Sequence, residues 1–128
     1  MVNAPPDAGF SLQDSGNRKQ FESGALRDRP PGKGRYDLIS PIAIHRLALI
    51  YEKGGIKYKE DRNWEKGLPL ASFVDSAIRH LFQYLEGKRD EDHVMQAAWN
   101  CFGAAHTEEM IKRGKLPKTL DDLPDYTI

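Results

Sequence analysis

Ser40-Pro-Ile-Ala-Ile-His-Arg-Leu-Ala-Leu-Ile-Tyr51 is the run whose reading decides the fold. A serine hydroxyl just before a helix accepts from its free N–H groups, and proline at the first helical position needs no donor. Ile42, Ile44, Leu47, Ala48, Leu49, Ile50 and Tyr51 then put apolar surface on nearly every side. A helix near 41–53 with that pattern is expected to be central, and Gly54-Gly55 to weaken or end it. Downstream, Phe73, Ala77, Leu81, Tyr84 and Leu85 recur at threes and fours, predicting a second helix over 69–86 that stops at Gly87. Asp90-Glu91-Asp92 supplies negative charge where a helix dipole favours it. A third helix over 91–112 follows through Val94, Ala97, Ala98, Cys101, Ala104 and Ala105. Lys112 and Arg113 suit its last turn, and Gly114 lies just beyond. No segment alternates with period two over strand length. The expected fold is all-α: a bundle of three main helices with an N-terminal glycine/basic loop packed on it.

The chain has 128 residues, enough for one domain with a real core. Residues 1–13 read as a flexible N-terminus, 14–114 as a single domain, and 115–128 as a tail packed through Leu116, Leu120 and Leu123. Nineteen basic residues balance nineteen acidic ones, which argues against a broad grip on a nucleic-acid polymer but not against a small anion. The single cysteine, Cys101, cannot make an internal disulfide; it reads as a small core residue in a reducing cytoplasm. No apolar leader is visible and no window approaches the roughly 18 apolar residues of a membrane span, so no membrane partner is expected. The alanine-rich third helix invites close packing inside the monomer or against a second copy, hence a homo-oligomer, dimer or tetramer.

Upstream of Ser40 lie Asp14-Ser-Gly-Asn-Arg18, Ser23-Gly-Ala-Leu-Arg27-Asp28 and Gly32-Lys33-Gly34-Arg35-Tyr36-Asp37. Glycines let a backbone approach an anion, and arginine grips phosphate oxygens at two points. Arg27, Lys33 and Arg35 are the candidate phosphate contacts; a disordered basic tail is the plainer alternative. On the second helix Asp75, Arg79 and Glu86 form one stripe with His80 beside it, although Asp75 and Arg79 also have the spacing of an ordinary ion pair. On the third, His93, Gln96 and Asn100 share a side. On the first, His45, Leu49 and Glu52 do. A hard cation such as Mg²⁺ or Mn²⁺ wants oxygen ligands. Glu52, Asp75 and Asp92 are the expected set, with Glu86 and Glu91 in reserve. His80 and His93 are candidates for outer ligands, bases or phosphate contacts. Paired cysteines, HExxH and the P-loop pattern are all missing from the sequence, which argues against a zinc site and a P-loop protein.

Several blocks recur in one order: Ser23-Gly-Ala-x-Arg27-Asp28, Gly32 to Leu38, Tyr51-Glu-Lys-Gly, Asp61-Arg-Asn-Trp-Glu-Lys-Gly67, Asp75-Ser-Ala-x-Arg79-His80-Leu81, and Asp90-Glu-Asp-His93 to Trp99-Asn100. Together they resemble the phage-type dATP/dGTP diphosphohydrolase family, similar in turn to the all-α MazG-like nucleoside triphosphate pyrophosphohydrolases. The resemblance implies hydrolysis of a purine deoxynucleoside triphosphate to the monophosphate with Mg²⁺ or Mn²⁺, in the host cytoplasm. Catalytic roles then fall to Lys33, Arg35, His80 and His93, and substrate contacts to Arg27, Tyr58, Asn63, Trp64, Arg79 and Asn100. For Trp64 the plainer reading, a hydrophobic anchor for its loop, is favoured over base stacking. The chain departs from the MazG pattern, in which one helix carries E-x-x-E and another E-x-x-D: Leu49 and Gly55 flank Glu52 at three residues. That departure keeps open a protein that binds and sequesters a nucleotide without hydrolysing it. A helical interaction module without a ligand would leave the basic loop unexplained.

Overall fold

A computed structural model describes residues 15–28 and 30–127. The chain divides into two compact units, Met1–Ile39 and Ser40–Ile128. In the first, β1 (Arg18–Gln20) pairs antiparallel with β2 (Leu26–Asp28), with Lys19 opposite Arg27. Gly24, at φ +87°, closes the turn by donating to the Phe21 carbonyl at 2.8 Å. These strands lie where the sequence suggested an irregular loop. At three residues each, they are too short for alternation to register. Asp28 ties the hairpin together by accepting from Ser15 N at 3.2 Å and Arg18 Nη1 at 3.0 Å. A single 3₁₀ turn, Tyr36–Leu38, follows.

The second unit opens with α1 (Pro41–Tyr58), capped by Ser40 Oγ, which accepts from Ala43 N at 3.1 Å. The helix runs through Gly54-Gly55 instead of ending there. Glycine costs a helix only about 1 kcal/mol, and at Gly55 its bareness is used: a Cβ there would lie 2.8 Å from Asp61 Oδ1. The chain turns back over the last helical turn through Lys59, which is left-handed at φ 55°. A 3₁₀ turn, Asn63–Lys66, leads to α2 (Leu70–Leu85) and then α3 (His93–Lys112).

The core sits between α2 and α3, where Leu70, Phe73, Ala77 and Ala97 are buried. Gly103 lets these helices close up, since a Cβ there would meet Phe73 Cε1 at 2.4 Å. Ala97 and Gly103 are thus spent inside the monomer, while Ala105 is exposed. The expectation that the first helix is central is corrected: α3 holds the middle, and Leu47 is the buried residue of α1. Ile42 and Ile56 are 77% and 73% exposed; among the described residues of this unit, no further helix packs on that side of α1. Cys101 is also exposed, not core, on a side of α3 that neither helix covers. The C-terminal segment folds back. A Cβ on Gly67 would lie 2.8 Å from a Leu120 methyl and 3.1 Å from one of Leu116. Asp122 Oδ1 accepts from Ala71 N at 2.9 Å, serving the start of α2.

Candidate active site

The first turn of α3 builds the centre of the site. Asp92 is its N-cap, accepting from Met95 N at 3.3 Å, and that places His93 at the first helical position. His93 is buried, at 2% exposure. Its Nε2 meets Asp90 Oδ1 at 2.8 Å, and its Nδ1 meets His80 Nδ1, from α2, at 3.0 Å. With Asp90 a carboxylate, Nε2 must carry the proton that Asp90 accepts. Neutral His93 then has a lone pair on Nδ1, so His80 donates from its Nδ1 and keeps an unprotonated Nε2. Burial lowers the pKa of His80, as does the neighbouring His93. The hydrogen bond from His93 in turn holds Asp90 below the usual carboxylate range.

His80 lines a 540 Å³ cleft that opens between α1 and α2 over α3. Lys53, Lys57 and Tyr58 enter it from α1, Ser76 from α2, and Gln96, Trp99 and Asn100 from α3. Asn100 is buried, its Nδ2 donating to the Gln96 carbonyl at 2.8 Å; the Gln96 side chain donates to Glu91 at 2.9 Å. At Gly54, Tyr58 and Trp99 the cleft adjoins a 240 Å³ slot walled by Tyr51, Trp64 and Leu68, with Asp61 and Asn63 at its polar edge. At Lys53 and Glu91 it adjoins a 490 Å³ groove where Arg46 and Arg89 border the Asp90–His93 turn. One end of this run is therefore aromatic, and the other carries cations around carboxylates.

Among the described residues, Asp90, Glu91 and His93 form the group whose ligand atoms lie within 4.8 Å of one another. Two carboxylate oxygens and an imidazole nitrogen suit a divalent cation that accepts mixed oxygen and nitrogen ligands. Glu52, Asp75 and Asp92 form no such group. Asp92 is engaged by Arg46 at 2.6 and 2.9 Å, which lowers its pKa. Asp75 is exposed and paired with Arg79 at 3.2 Å, the ordinary ion-pair alternative for that stripe. Glu52 is exposed, and neither it nor Asp75 lines any of the three hollows. Trp64 packs edge-on against Tyr51 at 5.8 Å and His106 at 4.9 Å, so it anchors its loop while also walling the slot. The hollows and the cluster add Lys53, Trp99 and Asp90 to the candidate residues read from the sequence. The legible signals were the four-residue step from Lys53 to Lys57 and the Asp90-x-x-His93 spacing.

In the N-terminal unit, Lys19, Arg27, Lys33 and Arg35 line a 640 Å³ groove with Gly32 and Gly34. Arg35 is held by Asp37 in two contacts of 2.8 Å, and among the described residues no carboxylate pairs with Arg27 or Lys33.

A helical unit whose open cleft passes from aromatic walls to lysines and a carboxylate–histidine cluster is suited to nucleotides. The family model described as "dATP/dGTP diphosphohydrolase, N-terminal" matches residues 23–116, and the chain belongs to that family. No curated protein and no solved structure matches it. Membership makes a nucleotide substrate and hydrolysis the chemistry to be accounted for. Among the described residues, no helix is long and apolar enough to cross a membrane.

Proposed function

We propose that the chain hydrolyses dATP and dGTP to the monophosphate and pyrophosphate in the cytoplasm, acting as a homo-oligomer on free nucleotides and not on nucleic-acid polymers. The observation that supports this most is the continuity of the cleft from the Tyr51–Trp64–Trp99 slot to the His80–His93–Asp90 chain. The base enters the slot, where flat aromatic faces stack and Asn63 meets polar atoms of the base. Lys53, Lys57 and Asn100 contact the sugar and phosphates. Arg79 stays with Asp75 on the outer face of α2.

Asp90, Glu91 and His93 would hold Mg²⁺ or Mn²⁺, which supplies a water of lowered pKa and neutralises phosphate charge. A cation on His93 Nε2 requires that nitrogen to be deprotonated. The proton shared by the two rings would then reside on His93 Nδ1, and His80, having given it up, would take a proton from solvent at Nε2, facing the cleft, in place of the one displaced from His93 Nε2. His80 thereby becomes a donor to a phosphate oxygen. Water attacks the α-phosphorus, the bond from that phosphorus to the oxygen bridging to the β-phosphate breaks, and pyrophosphate leaves. Arg27, Lys33 and Arg35 are the phosphate-binding set of the N-terminal unit.

The test is incubation of the purified chain with each deoxynucleoside triphosphate and Mn²⁺ or Mg²⁺. Equimolar monophosphate and pyrophosphate from dGTP and dATP support the reading. Tight binding of the same nucleotides, seen as quenched tryptophan fluorescence without turnover, would instead establish the sequestering alternative.

A further inference from the structure

Two carboxylates reach the aromatic slot, and they are not equivalent. Glu60 is taken by Lys66 at 2.6 Å, whereas among the described residues no donor is paired with Asp61. Asp61 lies against the last turn of α1, its Oδ1 2.8 Å from where a Cβ on Gly55 would stand. That is the negative end of the helix dipole, where a carboxylate is disfavoured. The bare floor at Gly55 thus admits a charged acceptor that the fold itself does not satisfy. We infer, on the reading that the slot holds the base, that Asp61 is its specificity residue and selects guanine over adenine.

Orientation follows from the residues that the hollows share. Slot and cleft meet at Gly54, Tyr58 and Trp99, while Asp61 and Asn63 line the slot alone. A nucleotide whose phosphates lie in the cleft directs its sugar-bearing N9 at the shared residues. The far edge of the purine, from C6 through N1 to C2, then meets Asp61 and Asn63. On guanine that edge offers two neighbouring donors, N1–H and the 2-amino group, and one acceptor, O6. A carboxylate only accepts, and its two oxygens match two parallel donors. Asn63 has an amide N–H for O6. Adenine turns a lone pair, on N1, to the same carboxylate and offers one donor, its 6-amino group. Asp61 is exposed, so water competes for it and the preference falls below the roughly 10⁴-fold of a buried reader.

Trp64 and Trp99, the two tryptophans of the chain, both wall the slot, so their fluorescence reports its occupation without turnover. Titrated with nucleoside monophosphates, the full chain should bind dGMP at least about tenfold more tightly than dAMP. Binding of dIMP, which keeps N1–H but lacks the 2-amino group, should fall between them. Asp61→Asn should reverse the order, since an amide offers N–H to adenine N1 and a carbonyl to its 6-amino group. An Asp61 that only shaped the loop would lower both affinities and exchange neither. Glu60→Gln should leave the ratio unchanged. Should Asp61→Asn misfold, the wild-type series of three bases still decides. Equal binding of dGMP and dAMP, or an Asp61→Asn variant that still prefers dGMP, overturns the inference and leaves the base site standing. Binding of neither nucleotide overturns both.

Discussion

His80 Nδ1 and His93 Nδ1 lie 3.0 Å apart, joining α2 to α3 through one shared proton. Since Asp90 accepts from His93 Nε2, the pair has a definite order without a cation: the proton belongs to His80 Nδ1. Imidazole ¹⁵N shifts in the metal-free protein should therefore show His80 protonated at Nδ1 and His93 at Nε2. Saturating Mg²⁺ should reverse both assignments. Unchanged tautomers with Mg²⁺ bound would detach the histidine pair from the metal.

Metal binding separates two carboxylate sets. Asp90→Asn and Glu91→Gln should each weaken Mn²⁺ binding about tenfold or more by calorimetry, as loss of a ligand does. Glu52→Gln and Asp75→Asn should leave it within about twofold, because neither side chain lines the hollows. The reverse pattern would restore the set expected from sequence.

In the basic groove, among the described residues, Arg27 and Lys33 pair with no carboxylate, while Arg35 is gripped by Asp37. Arg27→Ala and Lys33→Ala should each lower kcat/KM for dGTP by about 10²-fold, the usual loss when one donor to developing charge is removed. Arg35→Ala should do the same with helical content intact. Unchanged pyrophosphate release in all three would leave the groove without a role in turnover.

Asp92 carries a pH dependence of stability. Arg46 holds its carboxyl below the ordinary range, so the unfolded chain binds that proton more tightly than the folded one. The stabilisation is present above the unfolded value of about 3.9 and disappears as pH falls through the folded value. Asp92→Asn keeps a cap but loses the ion pair; Asp92→Ala loses both. Urea denaturation at pH 7 should show a cost of about 1 kcal/mol or less for the first and about 1–2 kcal/mol for the second. The cost of Asp92→Asn should shrink below about pH 4.

The helices were legible because each has three or more turns of apolar recurrence, and Ser40 caps as its side chain suggests; Asp92, expected within the first turn of α3, is its cap instead. What periodicity lacks is knowledge of which face finds a partner. Apolar surface all round α1 looked like centrality, yet α3 took the middle because Ala97 and Gly103 let α2 come closer. Cys101 was misplaced for the same reason. Gly54-Gly55 looked like a stop, but the helix needed bareness at Gly55 for the approach of Asp61. His80 and His93 could each be singled out from the sequence. Their meeting could not, because it depends on how far apart two helices stand. The expected carboxylates are not brought together, and Asp92 pairs with Arg46, forty-six residues away.

That spacing has an author far from the histidines. The helices run antiparallel, so Phe73 over Gly103 is the far end of a lever whose near end is His80 beside His93. Ten residues of α3, about 15 Å of helix, separate the fulcrum from the proton. A methyl group at position 103 would act as a wedge, and a splay too small to unfold anything would still stretch a 3.0 Å contact beyond useful length. The reactive geometry is thus calibrated by a residue that contributes no side chain at all, and wear at that remote bearing would surface as lost chemistry in an otherwise sound protein.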